Sequence, residues 1–131
     1  MEDIFKLEII SPEKIIFSED VKMVTLPSYE GDMGVLKNHI SIITFLRPGI
    51  IKVQKKGENF EELFVQDGTV EYFNDNLIVL SALVMNIKDL SKEFVDNLNK
   101  DTQQKLADKN ITDHDRYILN HKLNVLKEVR I

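Results

Sequence analysis

Residues 77–98 read LIVLSALVMNIKDLSKEFVDNL, and the chain changes period inside them. Leu77 to Val84 is an apolar run of strand length, set behind the turn residues Asn74-Asp75-Asn76. Past Val84 the pattern becomes helical. Asn86 is a cap residue, Asp89 sits where a carboxylate favours the helix dipole, and Leu90, Phe94, Val95 and Leu98 recur at helical spacing. The change predicts an α+β chain, with a β-rich unit over 1–85 and a helical unit over 86–131.

Upstream, punctuation is dense. All five glycines and all three prolines lie at or before Gly68, and they cut that stretch into short runs. Phe5, Leu7 and Ile9 alternate with Lys6 and Glu8, the period of a half-buried strand. Val21 to Leu26 reads as a second strand, stopped by Pro27. Pro48-Gly49 turns into Ile50-Ile51-Lys52-Val53, and Lys56-Gly57-Glu58-Asn59 reads as a hairpin loop. Asp67-Gly68 has the chemistry of a tight type I′ hairpin turn. Short strands at this spacing predict a sandwich or flattened barrel.

Downstream, Lys109-Asn110-Ile111 interrupts the helical pattern, and Thr112 or Asp113 can cap a second helix. Ile118, Leu119, Leu123, Val125, Leu126 and Val129 spread over a broad apolar arc of it. The short break predicts an antiparallel helical hairpin. A β unit of this length can bury a core of its own, whereas the hairpin needs a surface to lean on.

The composition excludes several classes. Cysteine is absent, which removes disulfides, thiolate zinc sites and a cysteine nucleophile. The start, Met1-Glu2-Asp3-Ile4, has neither the basic nor the apolar region of a signal peptide, and no run has the length of a membrane span. Any tie to a membrane is therefore expected through a partner. The net charge of −5 argues against nucleic acid. Residues 1–115 hold 13 basic and 21 acidic side chains (−8), while 116–131 hold Arg116, Lys122, Lys127 and Arg130 against Glu128 (+3). That basic end offsets a helix dipole and suits an acidic surface. Lys122 and Arg130 fall within the apolar arc, which solubility does not require.

Catalytic signatures are missing. There is no G-x-S-x-G elbow, phosphate-binding glycine loop or H-E-x-x-H. His39, His114 and His121 are too dispersed for a metal set, so no metal is expected. The densest polar cluster is Glu30-Gly31-Asp32-Met33-Gly34 with Lys37-Asn38-His39. It reads in three ways: an acid–base site using Glu30, Asp32 and His39, a turn-rich connection, or a polar docking surface.

Gly31-Asp32-Met33-Gly34-Val35-Leu36, then His39, Thr44 and Pro48-Gly49, resembles the epsilon subunit of bacterial F-type ATP synthases, the counterpart of the mitochondrial delta subunit. The likeness begins at Leu7-Glu8-Ile9-Ile10-Ser11-Pro12 with Phe17, resumes at Gly68 and Asn76 to Ala82, and covers essentially the whole chain. It implies a β-sandwich of about ten strands followed by a two-helix hairpin. It also implies a non-catalytic rotor subunit without a cofactor, coupling gamma to the ring of c subunits in proton-driven ATP synthesis. The complex would hold it as a peripheral protein at the cytoplasmic face of the bacterial inner membrane.

By that resemblance one end of the sandwich, with Glu30, Asp32, Lys37 and His39, meets polar loops of the c ring, and Ser11 meets gamma. The hairpin can open, carrying Arg116, Lys122, Lys127 and Arg130 toward the alpha/beta catalytic head to inhibit ATP hydrolysis. Two departures stand out. Lys37-Asn38 replaces a Pro-Gly found in many relatives, and Asn tolerates the same left-handed turn. Leu90-Ser91-Lys92-Glu93-Phe94 replaces an I/L-D-x-x-R nucleotide signature, so ATP binding is not expected. The reading from another class is a small β-barrel hydrolase or metal enzyme using Glu30, Asp32 and His39.

Overall fold

The computed structural model describes residues 3–129. Nine strands are present among them: β1 (Phe5–Ile10), β2 (Ile15–Ser28), β3 (Gly31–Leu36), β4 (Ile42–Leu46), β5 (Gly49–Lys55), β6 (Phe60–Val65), β7 (Gly68–Phe73), β8 (Asn76–Leu80) and β9 (Val84–Asn86). Helices α1 (Lys92–Leu106) and α2 (Asp113–Glu128) follow.

The strands form two layers that share β2. The first half of β2 pairs with β1, and the layer continues through β8 and β7 to β4. The second half pairs with β3 on one side and β5 on the other, and β6 and β9 complete that layer. Between the layers lies an apolar core in which Leu7, Ile9, Val24, Ile51, Leu63 and Leu77 are fully buried. The alternation of Phe5, Leu7 and Ile9 points inward as its period demands. A strand shared by both layers also accounts for the count of about ten expected for the sandwich.

Two local expectations change. Strand β2 does not stop at Pro27 but runs through it to Ser28. Proline lacks only a donor there, and its carbonyl still accepts the Arg47 N–H at 3.0 Å. Asp67-Gly68 is not a hairpin turn. It carries the chain from one layer to the other, since β6 pairs with β5 and β9 whereas β7 pairs with β4 and β8. Gly68 is needed for closeness instead, because a Cβ would stand 2.5 Å from the Leu80 carbonyl oxygen. The tight turn with two left-handed residues is Asn74-Asp75, at φ of 50° and 59°, joining β7 to β8.

The helical start is also displaced. Asn86 caps a single 3-10 turn, Ile87–Asp89, and Ser91 then caps α1 by accepting the Phe94 N–H at 3.0 Å. Thr112 caps α2 by accepting from Asp115. The two helices pack on each other and on the outer side of β5, β6 and β9, where Phe64, Leu90, Val95 and Leu126 make a second apolar cluster. No helix of the described residues is long and apolar enough to cross a membrane.

Candidate docking surfaces

Strand β3 separates the residues that sequence proximity had grouped. Glu30 lies in the turn from β2 and Asp32 among the first residues of β3, while Lys37 and His39 lie past its far end, in the connection to β4. About 13 Å of strand separates Asp32 from the end of β3. An acid–base pair between Asp32 and His39 is therefore absent, and no group of three or more His, Asp or Glu among the described residues can hold a metal. The enzyme reading loses its geometry.

At the far end, the connection from β3 to β4 is tied to the turn from β7 to β8. Asn38 takes φ of 65°, and its N–H donates to Asp75 Oδ1 at 3.0 Å. The buried Tyr72 hydroxyl donates to the same oxygen at 2.8 Å. Burial and the Asp75 charge push the Tyr72 hydroxyl up to about 12. The Asn38 and Tyr72 hydrogen bonds hold the Asp75 carboxyl below its ordinary value. His39 Nδ1–H donates to the Ile40 carbonyl at 2.7 Å, and its ring stands edge-on to Tyr72. Hydrogen bonds to Asp75 thus tie the two turns of this end together, and it exposes the apolar Leu36 and Ile40 beside Lys37.

Among the described residues no element covers the outer face of β1, β8, β7 and β4. Register aligns Phe45, Thr69, Leu80 and Ile10 in one row and Ile43, Glu71, Ile78 and Glu8 in the next. Ile43, Phe45, Phe73 and Leu80 are each between 49% and 75% exposed. A sheet face that exposes four large apolar side chains, with Glu8, Thr69 and Glu71 set among its rows, marks a contact surface. At its edge Ile10, Ser11, Phe45, Leu80 and Ser81 line an open groove of about 670 Å³.

At the near end, a cluster links the sandwich to α2. Arg47 Nη1–H donates to His121 Nδ1 at 3.0 Å, and Arg47 Nη2 stands 3.8 Å from Asp32. Tyr29 stacks on Tyr117 and adjoins His114. Burial and the Arg47 charge lower the pKa of His121. Of the basic residues, Arg116 and Lys127 are exposed, but Lys122 is only 2% exposed and burial lowers its pKa. In this conformation no outside partner reaches Lys122. Arg130 lies outside the described residues.

Residues 4–86 match the family described as the ATP synthase delta/epsilon chain β-sandwich domain. The ATP synthase epsilon chain of Pelagibacter ubique is 46% identical over 97% of this chain and 98% of its own length. The chain belongs to the ATP synthase delta/epsilon family. The epsilon chain of Parvibaculum lavamentivorans is 35% identical over 99% of this chain and 98% of its own. A chain in the Euglena gracilis mitochondrial ATP synthase shares the fold with a TM-score of 0.73 at 19% identity, covering 97% of this chain and 79% of that one. A chain in the central stalk and c-ring structure of the Tetrahymena thermophila enzyme has a TM-score of 0.64 at 12% identity, covering 94% of this chain and 93% of that one.

Within this family member, the Arg47–His121 contact was not legible in the sequence. Its partners stand 74 positions apart. The available signal was the spacing of His114, Tyr117 and His121 along one helix face.

Proposed function

We propose that this chain is the epsilon subunit of a central stalk, a non-catalytic rotor part that couples gamma to the c ring in proton-driven ATP synthesis. The carrying observation is the uncovered apolar face of β4, β7 and β8, which suits a permanent protein contact. Gamma occupies that face, reaching Ser11 at its edge and Lys37 and His39 beside the exposed Leu36 and Ile40. The opposite end, with the exposed Glu13, Glu30, Asp32 and Asp67, is acidic and polar, and it meets the polar loops of the ring. The four residues grouped by sequence thus divide between two partners.

Residues 1–85 serve as the fixed coupling and 86–131 as a moving unit. When the hairpin opens, Arg116, Lys122, Lys127 and Arg130 meet an acidic surface of the alpha/beta head and restrain ATP hydrolysis. Ser91 is engaged as a helix cap and Phe94 stands at the position of the signature arginine, so the hairpin holds no ATP. The chain sits at the cytoplasmic face of the bacterial inner membrane, held there by the complex.

The chain lacks cysteine, which allows a direct test. In the assembled complex, Asp32→Cys is expected to cross-link to a c-subunit loop and His39→Cys to gamma. Cross-linking of both positions to one partner, or of neither, refutes the assignment. Deleting residues 116–131 is expected to raise ATP hydrolysis, and unchanged hydrolysis removes the restraining role.

A further inference from the structure

We propose that Arg47 and His121 form a proton-sensitive latch, which holds the helical hairpin on the sandwich while His121 is neutral and lets it go when His121 is protonated. The contact joins two elements with few other polar ties. Arg47 comes from the connection between β4 and β5, and His121 lies midway along α2.

The chemistry fixes the protonation state. A guanidinium has only donors and keeps its charge, so Arg47 Nη1–H at 3.0 Å needs a lone pair on His121 Nδ1. The neutral ring supplies it, with its own proton on Nε2. Protonation places an N–H on Nδ1, facing the N–H of Arg47. The bond is then lost, and two positive charges meet in a half-buried site. The Nε of Arg47 is buried with no hydrogen-bond partner among the described residues, and its Nη2 stands 3.8 Å from Asp32, so little offsets the loss of the His121 bond.

The surrounding groups do not cancel this effect. Tyr117 stands edge-on to His121 at 4.3 Å, but it lies on the same helix and travels with it. The same holds for Lys122. From the sandwich, Asp32 of β3 stands behind Arg47, Tyr29 of the preceding turn stacks on Tyr117, and Asp67 acts on Tyr29 and Lys122. From α1, Asp101 and Lys105 act on Lys122. Arg47 is thus the charge that His121 meets only when docked.

The direction follows by linkage. His121 titrates lower when docked than when the hairpin is open. The docked-to-open ratio is therefore full above the ordinary histidine value of about 6.5, and it falls as the pH drops below that. One proton limits the fall to about tenfold per pH unit, and the ratio levels off once the docked form also binds its proton. The latch rests on the proposed function only for what release does inside the complex. The free chain tests the latch itself, so either idea can fail alone.

The experiment uses the full-length chain with fluorophores on Glu58→Cys, in the turn between β5 and β6, and Asn110→Cys, in the turn between the helices. Energy transfer reads the docked fraction. Urea is set for each variant so that half the molecules are open near pH 8, and the pH is then lowered to about 5. The parent chain and His114→Gln are expected to lose docking several-fold below about pH 6.5. His121→Gln stays flat, and Arg47→Gln, in which docking still buries the ring, responds less than the parent; an equal response removes the arginine from the latch. A flat parent, or a pH response that survives in His121→Gln, overturns the latch.

Discussion

Replacing Leu126 by alanine isolates the second apolar cluster from the first. Leu126 is 2% exposed and packs with Phe64, Leu90 and Val95, whereas the sandwich core is a separate set of side chains. Burying a leucine is worth about 2 kcal/mol, and the cavity left by truncation adds to the loss. The site lies between a helix and a sheet surface and can partly collapse, so about 2–3 kcal/mol is expected from the usual range. That shifts the docked-to-open ratio by about 30- to 150-fold. Hydrogen exchange read by mass spectrometry tests it. Amides of α1 and α2 should lose protection by about that factor, while β1, β7 and β8 keep theirs. If the helices keep their protection, or if those strands lose as much, the hairpin and sandwich are not separate cooperative units.

Other outcomes follow from single contacts. Lys122→Met removes a buried amino group that burial disfavours, and it should raise the hairpin's Tm by about 3–6 °C in a thermal scan. Gly49→Ala places a Cβ 2.5 Å from Pro27 Cβ, so it should cost about 1–3 kcal/mol in urea unfolding. Asp75→Ala leaves the Tyr72 hydroxyl without its acceptor and should lower the Tm. Because the Asp75 pKa is lowered in the folded chain, its contribution is present above about pH 4 and is lost as the pH falls further. The gap in Tm between parent and Asp75→Ala should therefore close toward low pH. A constant gap would show that the charge is not what Tyr72 and Asn38 hold.

Much of the fold was legible because it is local. The alternation of Phe5, Leu7 and Ile9, the Lys56–Asn59 loop and the cap at Thr112 each depend on neighbouring residues. The errors came from distant partners. Asp67-Gly68 has hairpin chemistry, yet its flanking strands pair elsewhere, which no dipeptide can reveal. Pro27 ends a strand only where the ladder needs a donor at its position, and here its neighbours ask for its carbonyl alone, which accepts from Arg47. Two caps in series, Asn86 and Ser91, moved the helix start along by one turn. At the site, nearness in sequence misled. Asp32 and His39 sit seven positions apart with most of a strand between them, while Arg47 and His121 meet across 74.

Strand β2 has a mechanical consequence. Fourteen residues of continuous backbone belong to one layer at their start and to the other at their end. Two sheets held only by side chains can slide, since van der Waals contact resists shear weakly. Here a twisting force on one sheet passes to the other along covalent bonds, and slippage would first have to unzip hydrogen bonds to β1 or β5. A body built this way turns as one piece. Cutting the chain at Glu19-Asp20 should lower the stiffness between the sheets, leaving the crossing at Asp67-Gly68 and the β2–β4 pairing at Ser28 to carry the torque.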